Sequence, residues 1–210
     1  MKRQTKQNIP AVLEWLDRTY GVEKETFYHK QHWQLLVAIM LSAQSTDQQV
    51  EEALPALFER FPEAKDAADA PAEAIEEKIR SIGLYKSKAK NIKKCCTQIV
   101  EQYGGEVPAD LDELVKLAGV GRKTATLFLA DAYGIPGVTV DIHVFRISHR
   151  LGWADGKDPV QTERELMKVL PKEHWNRINF QLIYHGRSVC TARKAKCGQC
   201  GLNALCEKRL

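Results

Sequence analysis

Four cysteines close to one end of the chain have a spacing that suits metal ligation. They form the run C-x6-C-x2-C-x5-C, and its members are Cys190, Cys197, Cys200 and Cys206. Thiolates at such short intervals bind either zinc or an iron–sulfur cluster, and the spacing alone does not separate the two. The insert between the first two cysteines carries Arg193, Lys194 and Lys196. A metal centre would therefore hold a positively charged loop in a fixed position.

A short glycine turn lies between two helical patterns in the middle of the chain, where residues 117–123 read LAGVGRK. Glycines allow positive φ, and the N–H groups of such a turn, with the positive end of the following helix, suit a DNA phosphate. The residues expected at the phosphate are Gly119, Val120, Gly121 and Arg122. A tight loop without a ligand has the same pattern, so the turn alone does not establish phosphate binding.

Lys123 follows the turn and is the candidate nucleophile. In the first turn of the next helix, the helix dipole and Arg122 disfavour an ammonium, and partial burial would act in the same direction. A lysine whose pKa is lowered in this way is partly neutral near pH 7, and a neutral amine can attack a carbon atom to form a Schiff base. A surface lysine that only pairs with phosphate is the alternative.

Asp141 stands immediately before another helical pattern, at the position of an N-cap. A carboxylate fixed at a helix start can stabilise developing positive charge or relay a proton. A purely capping role explains the same position, and the two roles are compatible. His143 is expected to be a packed or capping residue, not a ligand.

Nearly every segment repeats its apolar residues with the period of an α-helix, and sustained alternation is absent, so the sequence predicts an all-α fold. Ile75, Ile79 and Ile82 predict one of the shorter helices. Two longer apolar stripes predict further helices: Ile9, Val12, Leu13 and Leu16 near the N-terminus, and Ile92, Cys96, Ile99 and Tyr103 further along. Cys95 and Cys96 lie on an apolar stripe and are expected to be ordinary buried thiols. The breaker cluster at 134–137 (GIPG) marks the predicted domain boundary.

The charge is segregated along the chain of 210 residues, although the net charge is only +4. Residues 48–80 carry nine acids and four bases, whereas residues 83–100 carry five lysines and no acid. Residues 176–210 carry seven bases against one acid. The two basic stretches could form one surface for a phosphate backbone, or they could be unrelated solvated faces.

Composition excludes several classes of protein. An apolar fraction of 44% is that of a globular chain of one large or two small domains. The longest apolar run is the seven residues Leu35–Leu41, far below the roughly 20 that a membrane-spanning helix needs. The basic N-terminus is not followed by an apolar stretch, so no secretory signal is expected and the cysteines should lie in a reducing, cytoplasmic compartment.

Together, the cysteine run, the glycine turn with its lysine and the helix-capping aspartate resemble one family over most of the chain, from residue 41 to residue 206. The sequence resembles the endonuclease III family. Its members are helix-hairpin-helix DNA glycosylases that contain an iron–sulfur cluster and remove oxidised pyrimidines from DNA. The resemblance implies a [4Fe–4S] cluster on the four cysteines. It also implies double-stranded DNA with damaged pyrimidines or abasic sites as the partner, a monomer, and association with the nucleoid.

The resemblance also implies a role for particular residues. Lys123 becomes the nucleophile that attacks C1′ of the damaged nucleotide, and Asp141 becomes its acid/base partner and electrostatic stabiliser. Gln44 would fill the hole left by the extruded base, and Leu84 would intercalate beside the orphaned partner base. Both insertions make physical sense, because C1′ becomes accessible only when the nucleotide leaves the stack.

The family fold consists of two helical modules with a cleft between them. The resemblance implies a six-helix barrel module with the helix-hairpin-helix at residues 24–133, and a cluster module of residues 1–23 and 134–210. Lys123 would come from the first module and Asp141 from the second.

The sequence departs from the family pattern at two positions. Ala118 replaces the proline of the usual hairpin sequence, which is expected to loosen the turn slightly without removing its N–H donors. Ile142 replaces the threonine that usually follows the aspartate, and the lost hydroxyl is expected to change base preference or rate.

The sequence favours a bifunctional glycosylase and abasic-site lyase over three other functions. An adenine glycosylase typically lacks the hairpin lysine and has a further C-terminal domain, whereas this chain ends four residues after Cys206. A monofunctional mismatch glycosylase is disfavoured by Lys123. A non-catalytic DNA-binding module is disfavoured by the presence of both Lys123 and Asp141.

Overall fold

The computed structural model describes residues 3–22 and 31–209, and within these ranges the regular elements are all helical. Two short 3₁₀-helices, Lys172–His174 and Cys197–Gln199, accompany the α-helices. The α-helices are α1 (Arg3–Tyr20), α2 (His32–Ser42), α3 (Asp47–Arg60), α4 (Ala64–Asp69), α5 (Ala72–Lys78), α6 (Tyr85–Tyr103), α7 (Leu111–Leu114), α8 (Arg122–Tyr133), α9 (Ile142–Leu151), α10 (Pro159–Val169) and α11 (Trp175–Ser188). The predicted all-α class is confirmed.

The chain divides into two compact units. One unit is Thr26–Ile135, and the other is formed by Met1–Glu25 together with Pro136–Leu210. We call them the hairpin unit and the cysteine unit, after the motifs they contain. The boundary expected before residue 24 lies outside the described residues, and the second unit resumes at 136, two residues after the expected 134.

The hairpin unit is built around α2 and α6. Helix α2 is buried on all sides from Trp33 to Leu41, as expected for a helix that is apolar around its whole circumference. Helix α6 is amphipathic, and its buried stripe includes Ile92, Cys96 and Ile99. The remaining helices of the unit pack their apolar residues against these two and leave the charged residues in solvent.

The cysteine unit has a separate core to which both ends of the chain contribute. The predicted α1 stripe of Ile9, Val12, Leu13 and Leu16 is buried there with the apolar faces of α9, α10 and α11. In the part of the chain that the structure describes, no helix is both long and apolar enough to cross a membrane.

Helices α4 and α10 are not among the helices predicted from the apolar periodicity. Helix α4 has only alanines as apolar residues and starts with a capping box of Glu63 and Asp66, and α10 starts at Asp158, whose side chain caps it. The predicted helix around Ile75 ends at Lys78, so Ile79 and Ile82 belong to the following turns. Both are nonetheless fully buried.

Candidate functional site

The two glycines of the hairpin turn have different structural roles. Gly119 has φ +77°, and a Cβ atom there would lie 2.8 Å from Cβ of Asn91 and 2.9 Å from Cε of Met40. Gly121 caps α8 with φ −86°, and a Cβ atom there would meet nothing within 4 Å. Gly119 is thus required by the fold, whereas Gly121 leaves open space in front of the first N–H groups of α8.

A side chain of α6 braces the turn. The N–H of Ala118 donates to Oε1 of Gln98 over 2.8 Å, and Nε2 of Gln98 donates to the carbonyl of Lys116 over 3.1 Å. A proline at position 118 would have no N–H to donate. The replacement therefore adds a hydrogen bond, which counters the loosening expected from the sequence.

Val120 also takes part in the hydrogen bonds within the hairpin turn. Its side chain is buried, and its N–H donates to the carbonyl of Leu117 over 3.1 Å. The first N–H groups of α8 have no carbonyl of a preceding helical turn to bond to, which is an arrangement that suits an anion.

Lys123 is the second residue of α8, as the sequence predicted. Its side chain is exposed, so the partial burial invoked from the sequence does not apply.

Asp141 is the N-cap of α9. One carboxylate oxygen, Oδ1, accepts hydrogen bonds of 2.8 Å from the backbone N–H groups of both His143 and Val144. The segment before Asp141 is bonded to α11, because Nδ2 of the buried Asn179 donates to the carbonyl of Thr139 over 3.0 Å. Sequence reasoning missed Asn179, since only the tertiary structure brings it to this segment.

Gln44 and Leu84 share an uncommon backbone conformation. Their φ angles are +57° and +59°, and among the described residues Lys208 is the only other non-glycine with positive φ. Such residues are costly and concentrate at functional sites. Both side chains are exposed, Leu84 by 64%. A Cβ on Gly83 would lie 3.5 Å from the carbonyl oxygen of Gln44, so the two turns are neighbours.

The four cysteines of the C-terminal run line one cavity that is partly open to solvent. Two N–H groups point at its sulfurs: Nη1 of Arg150 lies 3.3 Å from Sγ of Cys190, and the backbone N–H of Lys208 lies 3.3 Å from Sγ of Cys206. Hydrogen bonds to sulfur are a usual part of the surroundings of iron–sulfur clusters. Within the described ranges, no three or more His, Cys, Asp or Glu side chains are arranged to hold a single metal ion.

Burial shifts the pKa of three side chains that line this cavity, namely Cys200, Cys206 and His185. Burial raises the pKa of the Cys200 and Cys206 thiols, and it lowers the pKa of His185 to about 4. Cys95 and Cys96, in the hairpin unit, are fully buried, and burial raises the pKa of Cys96 to about 12. Their predicted role as buried thiols is confirmed.

The basic insert of the cysteine run is anchored at its base. Arg150 donates to the carbonyls of Thr191 and Ala192 over 2.8 and 3.1 Å. Arg193, Lys194 and Lys196 are all exposed, but Nζ of Lys196 donates to the carbonyl of Ser188 over 3.1 Å. Arg193 and Lys194 are therefore the residues of the insert best placed to meet an anion.

The five lysines of residues 83–100 divide into two groups. Lys86, Lys90 and Lys94 are exposed. Lys88 and Lys93 are half-buried and donate to backbone carbonyls. The surface available to a phosphate backbone is thus smaller than the sequence suggested.

The predicted site residues are divided between the two units. Gln44, Leu84, the glycine turn and Lys123 belong to the hairpin unit. Asp141 and the four cysteines belong to the cysteine unit. Hydrogen bonds from Gln98, Asn179 and Arg150 support the segments that carry these residues. No sequence motif predicts these hydrogen bonds.

Comparison with known proteins identifies the family of the chain. Residues 37–172 match the HhH-GPD superfamily base excision DNA repair protein family. Endonuclease III of Synechocystis sp. is 47% identical over 202 residues, which are 96% of this chain and 92% of that protein. Endonuclease III of Escherichia coli K12 is 43% identical over 175 residues, 83% of either chain.

Solved structures give the same result. A trapped covalent intermediate of endonuclease III with DNA, an estranged-adenine complex, has a TM-score of 0.87 at 41% identity and covers 97% of this chain and 96% of that chain. A thermostable thymine-DNA glycosylase has a TM-score of 0.82 at 21% identity over 98% of this chain and 96% of that chain, which shows the fold alone. The chain therefore belongs to the endonuclease III family of helix-hairpin-helix enzymes, the DNA glycosylases and abasic-site lyases of base excision DNA repair.

Proposed function

We propose that this enzyme removes oxidised pyrimidines from double-stranded DNA and cuts the strand at the abasic site, with Lys123 as the nucleophile. The observation that carries the proposal is the exposed lysine in the first turn of α8, directly after an open turn that suits phosphate. Related structures contain endonuclease III bound to DNA both covalently and non-covalently.

The reaction starts at Nζ of Lys123. The neutral amine attacks C1′, the bond from C1′ to the base breaks, and the base leaves with the electron pair and takes up a proton. Opening of the sugar ring then gives a Schiff base between Nζ and C1′. Loss of a proton from C2′ and departure of the 3′ phosphate by β-elimination cut the strand 3′ to the site.

Asp141 supplies the second chemical group. Because Oδ1 is held by two backbone N–H groups, the orientation of the carboxylate is fixed without any contribution from the substrate. The carboxylate stabilises positive charge that develops on the sugar and shuttles protons during the elimination.

Gln44 and Leu84 keep the nucleotide extruded. Gln44 fills the vacancy in the stack, and the exposed Leu84 wedges beside the partner base. Their adjacent turns support this assignment, since both side chains must enter the same gap.

Cys190, Cys197, Cys200 and Cys206 would hold a [4Fe–4S] cluster. The donor set fits this group, because four thiols surround one cavity and two N–H groups point at its sulfurs. When bound, the cluster cross-links the end of the chain and so fixes the loop that carries Arg193 and Lys194. Arg150 anchors the same loop, which we place against a DNA phosphate.

The partner is double-stranded DNA with a damaged pyrimidine or an abasic site, bound by a monomer in the cytoplasm, at the nucleoid. The hairpin donors and the exposed lysines of α6 bind phosphate without reading sequence. This suits an enzyme that must search all sequences for a rare lesion.

Borohydride trapping on a duplex with one thymine glycol tests the proposal. We expect a covalent adduct with the wild type and none with Lys123→Gln, because only a Schiff base is reduced to a stable link. Lys65→Gln is the matched control, since Lys65 is an exposed lysine on α4 in the acidic segment. It should form the adduct at the wild-type rate.

Each other outcome has a definite meaning. Base release without an adduct would identify a monofunctional glycosylase and overturn the role of Lys123. Reaction on an abasic site but not on thymine glycol would leave a lyase with a different lesion. Equal loss of DNA binding and trapping in Lys123→Gln would favour a binding module.

A further inference from the structure

The ammonium of Lys88 forms hydrogen bonds with one short loop at the end of α2. Nζ lies 2.8 Å from the carbonyl oxygen of Leu41, 2.7 Å from that of Ala43 and 2.9 Å from Oγ of Ser45. An ammonium has three N–H donors, and these three acceptors can occupy all of them. The loop between the three acceptors contains Gln44.

The three bonds meet two physical needs of the loop. The last carbonyls of α2 have no partner within the helix, and a cation at a helix C-terminus is favoured by the dipole. Gln44 has φ +57°, a conformation that a residue with a side chain adopts only when its surroundings hold it. Bonds on both sides of Gln44 do so.

The position of Lys88 on α6 joins this loop to Leu84. The N–H of Lys88 donates to the carbonyl of Leu84 over 3.0 Å, and Gly83 lies against the carbonyl of Gln44. One residue is therefore bonded through its backbone to the turn of Leu84 and through its side chain to the loop of Gln44. Burial lowers the pKa of Lys88, because part of its hydration shell is replaced by this loop.

We propose that Lys88 is a positioning residue that fixes Gln44 beside Leu84, so that both side chains enter the DNA stack as one preformed unit. This inference rests on the proposed function of the two inserted residues. Lys88 itself contacts neither DNA nor the reacting atoms, since its donors are already used. Its effect on base removal acts through Gln44.

Lys93 offers a matched control on the same helix. Its Nζ donates to the carbonyls of Ala68 and Ala70, 2.7 and 2.5 Å away, and thereby caps the end of α4. Lys93→Met removes the same kind of interaction as Lys88→Met, but at a loop that has no proposed contact with DNA.

The test uses a duplex with 2-aminopurine opposite a tetrahydrofuran abasic analogue, at saturating enzyme, together with single-turnover base release from thymine glycol. We expect Lys88→Met to reduce the fluorescence change and to lower the rate of base release about tenfold, as misplacement of a positioned group does. Lys93→Met should match the wild type in both. Ser45→Ala, which removes one of three acceptors, should lower the rate about threefold and serves if Lys88→Met does not fold.

A double mutant separates positioning from general damage. If Lys88 acts through Gln44, Lys88→Met will lower the rate by less than about twofold in a Gln44→Ala background. Additive effects, or a wild-type fluorescence change in Lys88→Met and Ser45→Ala, would overturn the inference. Absence of base release in the wild type would overturn the proposed function instead, and the fluorescence of the bound complex would still decide the role of Lys88.

Discussion

At the scale of single residues, Asp141 has an observed structural role and a proposed chemical role. Oδ1 caps α9 through two N–H groups, while the carboxylate as a whole is proposed to stabilise charge on the sugar. Asparagine caps helices about as well as aspartate but has no negative charge. The two tasks can therefore be separated by one substitution.

We expect Asp141→Asn to change the free energy of unfolding by less than about 0.5 kcal/mol and to lower single-turnover base release by a factor of about 100 or more. Thermal unfolding and quenched-flow assays measure the two effects. Asp158→Asn is the control, because Asp158 caps α10 through Oδ1 in the same way. Similar losses of activity in both variants would refute a chemical role for Asp141.

Ile142 is the most exposed of the large apolar side chains in the described structure, at 75%, and it directly follows Asp141. Ile142→Thr should leave the melting temperature unchanged within about 2 °C, because the side chain contributes little to the core. The ratio of base-release rates for thymine glycol and dihydrothymine should shift at least about threefold. Unchanged ratios for a panel of oxidised pyrimidines would show that this side chain does not contact the lesion.

At the scale of elements, the hairpin turn separates the requirements of folding from those of binding. Gly119→Ala should destabilise the protein by about 2–3 kcal/mol, since it combines positive φ with an overlap against Asn91. Gly121→Ala should cost less than about 0.5 kcal/mol, because its φ is ordinary and its surroundings are open. Gly121→Ala should instead weaken DNA binding in a fluorescence-anisotropy titration, as its Cβ would obstruct the N–H groups of α8. Equal destabilisation by the two substitutions would contradict the distinction.

The same turn offers a test of compensation. Gln98→Leu should cost about 1–2 kcal/mol, because it leaves the N–H of Ala118 without its partner. In an Ala118→Pro background that N–H no longer exists, so Gln98→Leu should cost measurably less. Denaturant unfolding of the wild type, the two single variants and the double variant measures the coupling free energy between positions 98 and 118. A coupling of zero would show that the hydrogen bond from Ala118 to Gln98 does not compensate for the missing proline.

Elements and site residues were predictable from the sequence to different degrees. The stripes of α1 and α6 revealed their helices because burial on one face imposes the period of 3.6 residues. Helix α4 was not predicted, because its only apolar residues are alanines, which give no clear contrast between an apolar and a polar face. The motifs located Lys123 and Asp141, but the partners of Lys88 are 43–47 residues away in sequence. Such contacts depend on the tertiary fold, which periodicity does not report.

At the scale of the whole molecule, the proposed cluster would give the two units different sources of stability. The hairpin unit is continuous in sequence and buries a large apolar core around α2. The cysteine unit combines both ends of the chain, and part of its interior is the cavity lined by four thiols. Where a metal group completes an interior, its binding free energy becomes folding free energy.

Loss of one cysteine ligand should therefore loosen one unit and spare the other. We expect Cys197→Ser to raise amide hydrogen exchange in α1 and α11 by at least about tenfold while α2 and α6 keep their protection, and to weaken DNA binding at the same time. Cys96→Ser is the reciprocal control, because Cys96 is fully buried in the hairpin unit, and it should raise exchange in α6 instead. Exchange mass spectrometry resolves the two patterns peptide by peptide. A uniform rise in both units after Cys197→Ser would mean that they unfold as one cooperative body. Unchanged DNA affinity would mean that the loop of Arg193 and Lys194 does not need the cluster to meet phosphate.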